Sequence, residues 1–70
     1  MGYKQDLQGY FEHYAEVIAQ AQGETAQCTI VEIRGTDCLY EVNDENGTWR
    51  GWLRDGETIR DIEWRDWNPD

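Results

Sequence analysis

Apolar positions in the first third of the chain recur with a helical period. Tyr3, Leu7, Tyr10, Phe11, Tyr14, Val17, Ile18 and Ala21 form one continuous stripe, which predicts an amphipathic α-helix over residues 3–21. Gln5, Asp6, Glu12, His13, Glu16 and Gln20 occupy its other side. Gly9 interrupts the stripe at a cost of roughly 1 kcal/mol against alanine. Gly23 supplies the stop.

From residue 26 the period changes to two. "QCTIVEI" is β-branched and predicts a strand over 27–34, and "CLYEV" predicts a second over 38–42. "TWRGWLR" and "ETIRDIEW" predict strands over 48–54 and 57–64. Gly35-Thr36, Asn46-Gly47 and Asp55-Gly56 are the turn signals between them. A helical alternative exists at the end, because Ile59 and Ile62, like Trp64 and Trp67, are three apart. The tail 65–70, "RDWNPD", is expected to be irregular.

The turns fix registers. Centring the first on Gly35-Thr36 sets Ile33 against Cys38, Val31 against Tyr40 and Thr29 against Val42. Centring the second on Asn46-Gly47 sets Tyr40 against Leu53 and Val42 against Gly51. Centring the third on Asp55-Gly56 sets Trp52 against Ile59, Trp49 against Ile62 and Arg50 against Asp61. One sheet face then collects Val31, Ile33, Cys38, Tyr40, Val42, Trp49, Leu53, Ile62 and Trp64. The helix stripe needs an apolar partner, and this face provides it. The expected fold is α+β: one N-terminal amphipathic helix packed on one face of a four-stranded antiparallel meander, in a single small domain over 1–70. The far face is mixed. It holds Cys28, Ile30, Glu32, Arg34, Leu39, Glu41, Arg50, Trp52, Arg54, Ile59, Asp61, Glu63 and Arg65. A tryptophan there marks the face either as a candidate binding surface or as one that the sheet curls to bury in part.

Size and charge narrow the function. A chain this short buries only about 60% of its unfolded surface, and four Trp and four Tyr partly compensate. Net charge is −9, with −6 of it in residues 36–70 (ten acids, four arginines). Such a chain repels nucleic acid and anionic lipid and attracts basic surfaces, although surplus acid also serves solubility. No apolar run approaches a membrane span, no signal-peptide core is present, and Asp6 breaks the myristoylation pattern. Two cysteines, Cys28 and Cys38, are too few for a disulfide scaffold. A cytoplasmic location is the expectation.

Several chemistries are excluded or weakened. The chain has no serine, which removes serine triads. Its single histidine, His13, lies on the helix's polar side, away from both cysteines. No C-x-x-C or paired histidines suggest a metal, "NDENGT" lacks calcium-loop spacing, and "RGWLRDG" is no phosphate loop. Carboxylates pair at Asp44/Glu45, Asp55/Glu57 and Asp61/Glu63, where turn and surface roles account for them. A small helix-on-sheet domain has little room for a catalytic cleft. No cofactor and no enzymatic activity are expected.

The expected function is therefore that of an acidic binding or inhibitor protein. Asp44, Glu45, Asp55, Glu57, Asp61 and Glu63 would engage Lys and Arg on a basic, nucleic-acid-binding surface of a partner protein, with no direct binding of nucleic acid. Trp52, Ile59 and Trp67 would supply the apolar anchors. In size, charge and aromatic content the chain resembles, in general type, small acidic phage-encoded inhibitors, anti-CRISPR proteins and other DNA mimics among them; no motif carries the likeness. A homodimer whose charge serves solubility is one alternative. The other is an aromatic cage for a small cation, built from Trp49, Trp52 or Trp64.

Overall fold

The computed structural model describes the backbone of residues 3–67 and the side chains of residues 8–67. The expected contributions of the Tyr3, Asp6 and Leu7 side chains, and of residues 68–70, lie outside the described residues. Helix α1 (Tyr3–Gln22) precedes strands β1 (Gln27–Arg34), β2 (Asp37–Asp44) and β3 (Gly47–Leu53), a short 3₁₀ turn (Ile59–Asp61) and a two-residue β4 (Arg65–Asp66). The strands form one antiparallel sheet in the order β1-β2-β3-β4. The helix packs on this sheet, chiefly over β1, giving the α+β arrangement.

Phe11, Ala15 and Ile18 bury the helix stripe against Cys38, Tyr40, Val42 and Leu53 of the sheet. Burying each large apolar side chain contributes about 1.5–3 kcal/mol. The stripe is narrower than the sequence predicts, since Tyr10 and Ala21 are exposed, while Ala15 joins the core. The helix ends as expected, with the Gly23 amide donating to the Ala19 carbonyl at 3.1 Å.

The β1–β2 turn forms as predicted, Gly35 adopting a φ of 58° that a β-carbon would strain. Ile33 faces Cys38 as expected, but a bulge between Ile30 and Glu32 then shifts the register by one. Cys28 now faces Val42 and Ile30 faces Tyr40, so both join the core side. Val31, expected inside, is 39% exposed, and Ile33 is 41% exposed. A single extra residue on one strand brings Cys28 and Ile30 inward and puts Val31 outside, whereas Ile33, on the turn side of the bulge, keeps its register and is exposed near the end of the strand.

The β2–β3 turn is displaced by one residue, which shifts the strand pairing by two. Asp44 pairs with Gly47, leaving Glu45 and Asn46 as the central residues. The cause is the Asp44 carboxylate, whose Oδ1 accepts from the amides of Asn46 (2.7 Å) and Gly47 (3.2 Å). Tyr40 thus faces Gly51 and Val42 faces Trp49. A two-residue slip preserves the faces, so the predicted inner set on β2 and β3 still points inward.

The largest correction concerns residues 57–64, which form no strand. The Asp55-Gly56 turn exists, with the Glu57 amide donating to the Arg54 carbonyl at 3.0 Å. A capping box then intervenes. The Thr58 amide donates to Asp61 Oδ2 at 2.8 Å and the Asp61 amide to the Thr58 carbonyl at 2.9 Å, winding Ile59–Asp61 into a 3₁₀ turn. The chain next passes beneath the core side of the sheet. Ile62 is buried there, and Ile59 and Trp64 pack against the same core. Gly51 makes this crossing feasible, because a Cβ at position 51 would overlap Ile62 Cγ2 and lie 3.1 Å from both the Glu63 carbonyl oxygen and the Trp64 ring. Only then does the chain rejoin the sheet, Asp66 facing Trp49 and Arg65 facing Arg50. The fourth strand thus lies within the segment expected to be an irregular tail. The Trp52–Ile59, Trp49–Ile62 and Arg50–Asp61 register pairs do not form.

Candidate functional site

The outer face of the sheet, opposite the helix, is built in cross-strand rows. Glu32 faces Leu39, which faces Trp52. In the next row Glu41 faces Arg50, which faces Arg65. Alternation along β2 and β3 alone dictates this outcome, since Cys38, Tyr40, Val42 and Leu53 point inward.

Arginines organise the aromatic groups. The Arg50 Nε donates to Glu41 Oε1 at 2.9 Å, and its guanidinium lies 4.0 Å from the centre of the Trp67 ring. This stacking draws the C-terminal tryptophan onto the outer face, where the Trp67 amide donates to the Thr48 carbonyl at 2.8 Å. The Glu41 carboxylate and the Trp67 ring offset the repulsion of placing Arg65 opposite Arg50. Arg34 lies 5.6 Å from the Trp52 ring centre and donates to Glu32 at 2.6 Å. Leu39, Arg50, Trp52, Arg54, Arg65 and Trp67 line much of a broad depression of about 700 Å³. Trp52 is half-buried outside the core cluster, and Trp67 is 42% exposed.

The predicted anchors therefore separate. Trp52 and Trp67 share the outer face, whereas Ile59 packs against the core. Leu39 is the apolar neighbour that the site prediction omits, although its alternation with Cys38 and Tyr40 marks it. Trp49 and Trp64 line a small cavity of about 180 Å³ with Gln22, Val42 and Asp44, whereas Trp52 lies on the outer face.

The predicted carboxylates divide: Glu57, Asp61 and Glu63 line the same depression as Trp52 and Trp67, whereas Asp44, Glu45 and Asp55 do not. Asp44 and Glu45 sit at the β2–β3 turn. Asp55 and Glu57 lie beyond the other end of β3, where the Asp55 amide donates to Asp37 Oδ1 at 3.0 Å. At ~3.4 Å per residue the two ends of β3 are about 20 Å apart. Three of the six accept bonds from their own backbone: Asp44 as above, Glu57 from the Arg54 amide at 2.8 Å, and Asp61 from Thr58. Glu45 and Glu63 are exposed, Glu63 lying 3.9 Å from Arg65.

Neither thiol is primed for nucleophilic work. Burial pushes the Cys28 thiol up to about 11 and raises that of Cys38 as well. His13 is exposed on the helix. Among the described residues, no group of three or more His, Cys, Asp or Glu side chains is arranged to hold a metal, and no helix is long and apolar enough to cross a membrane.

No protein-family model matches the chain, and no curated protein or solved structure is significantly similar to it.

Proposed function

We propose that the chain is a non-enzymatic binding module, an inhibitor of the DNA-mimic type in general character, that docks on a basic surface of a partner protein. The observation that carries this reading is the outer sheet face. Trp52, Trp67 and Leu39 form an apolar group on the side of the sheet without the helix, framed by arginines and carboxylates. Large aromatic side chains inside a charged frame are the usual anchors of protein interfaces.

The partner's charge follows from the chain's own net charge of −9, which steers it toward basic surfaces and away from nucleic acid itself. Carboxylates at the two ends of β3 would grip separate basic groups about 20 Å apart, with the tryptophans seated between them. Asp44, Glu57 and Asp61 keep one oxygen for such contacts while the other holds the turn. The same reading places the protein in the cytoplasm, where the free thiols of Cys28 and Cys38 stay reduced.

The test is affinity capture from the native host on the immobilised chain, eluted by a salt gradient. A basic partner released as salt rises, and absent from a matrix carrying Trp52→Ala, supports the reading. Equal recovery on both matrices contradicts it.

A further inference from the structure

β1 is an edge strand of an open sheet, so among the described residues its outward amides and carbonyls have no neighbouring strand. Beside it runs a groove of about 600 Å³, floored by Ala15 and Ala19 of the helix with Ala26, Cys28 and Ile30 of the chain entering and forming β1. The alanines leave space along the strand's flank. Glu12 and Glu16 form the helix rim of this groove, both exposed and one turn apart. Like charges at this spacing repel, which a cation seated between them would relieve.

We infer that this edge and groove take an extended cationic peptide segment of the partner by strand addition. Its backbone pairs with Gln27–Ile30, and its lysines or arginines, at every second position, face the helix, lay their aliphatic stems over the alanine floor and reach Glu12 and Glu16, while the intervening side chains face the other side of the sheet. The bulge after Ile30 ends the regular edge there, limiting the pairing to about one short segment. A second copy of the chain fits poorly. Joining two β1 edges antiparallel about a two-fold axis puts both helices on the same face, with Glu12 and Glu16 of each copy turned toward one another. This inference rests on the reading of an acidic module with a basic partner, but it uses a surface separate from Trp52.

The experiment is amide mapping of the isotope-labelled full chain with a capped octapeptide of alternating lysine and valine. The amides of residues 27–30 shift and exchange more slowly. The double variant Glu12→Gln, Glu16→Gln weakens the peptide roughly five- to tenfold, the scale of two exposed ion pairs. Trp52→Ala leaves peptide binding unchanged, which separates this site from the outer face. An alternating glutamate–valine peptide gives no shift. The inference is overturned if residues 27–30 do not respond, if the shifts centre on Trp52 and Trp67, or if the chain alone is a dimer with those amides already protected.

Discussion

Tyr40 donates its hydroxyl hydrogen to the Phe11 carbonyl oxygen at 2.9 Å, tying the middle of the helix to the middle of the sheet across 29 residues of sequence. Both side chains are buried, Tyr40 completely. The bond fixes where the helix sits on the sheet, and hence which sheet face stays uncovered. Tyr40→Phe keeps the ring and removes the bond. It should lower stability by about 1 kcal/mol, the net worth of one such bond, measured as a lower urea midpoint with an unchanged slope.

Alkaline pH should destabilise the fold. Burial holds Cys28 neutral up to about 11, against an ordinary 9.0, and the nearby Cys38 adds to the effect; burial also raises Tyr40. A raised folded value means that the unfolded chain loses its proton first. The stabilising contribution is complete below about pH 9 and falls away as pH rises through about 11. Urea midpoints should decline across that window, and Cys28→Ala should flatten the decline relative to its own midpoint at neutral pH.

Two glycines should respond oppositely to alanine. At Gly51 a methyl group would collide with Ile62 and crowd the Glu63 carbonyl and Trp64, so Gly51→Ala should cost about 1–3 kcal/mol. At Gly9, within the helix, a methyl group meets nothing within 4 Å, and Gly9→Ala should add roughly 0.5–1 kcal/mol. Thermal melting of the two variants should bracket the wild type.

Asp61 holds the start of the 3₁₀ turn, accepting from both the amide and the hydroxyl of Thr58. Asp61→Ala should cost about 0.5–2 kcal/mol. Amide exchange should accelerate first at residues 58–62, ahead of β2.

The helix, the turn at Gly35 and the inward set on β2 and β3 were legible because each depends on a local period or one turn residue. The Asp44 turn moved the register by two, an error that alternation forgives. The bulge at Val31 moved it by one, which brought Cys28 and Ile30 inward and put Val31 outside; nothing in "CTIVEI" distinguishes these choices, since every candidate is apolar or β-branched. Residues 57–64 carry an alternation suited to a strand. Thr58-x-x-Asp61 also spells a capping box, and its bonds, with the burial of Ile62 beneath Gly51, outweigh that alternation. At the site, Trp52 was legible from alternation alone. Ile59 was not, since its place depended on the strand that did not form. The stacking of Arg50 on Trp67 depends on β4 and has no local signal.

The most direct test of the binding account is the affinity of the captured partner for wild type and Trp52→Ala, measured by calorimetry at about 50 and about 500 mM salt, where screening lengths differ several-fold. The account predicts wild-type binding that weakens steeply with salt. It also predicts a Trp52→Ala chain that melts within a few degrees of wild type but no longer binds. Salt-independent affinity, or a folded Trp52→Ala chain that binds as wild type does, would contradict it.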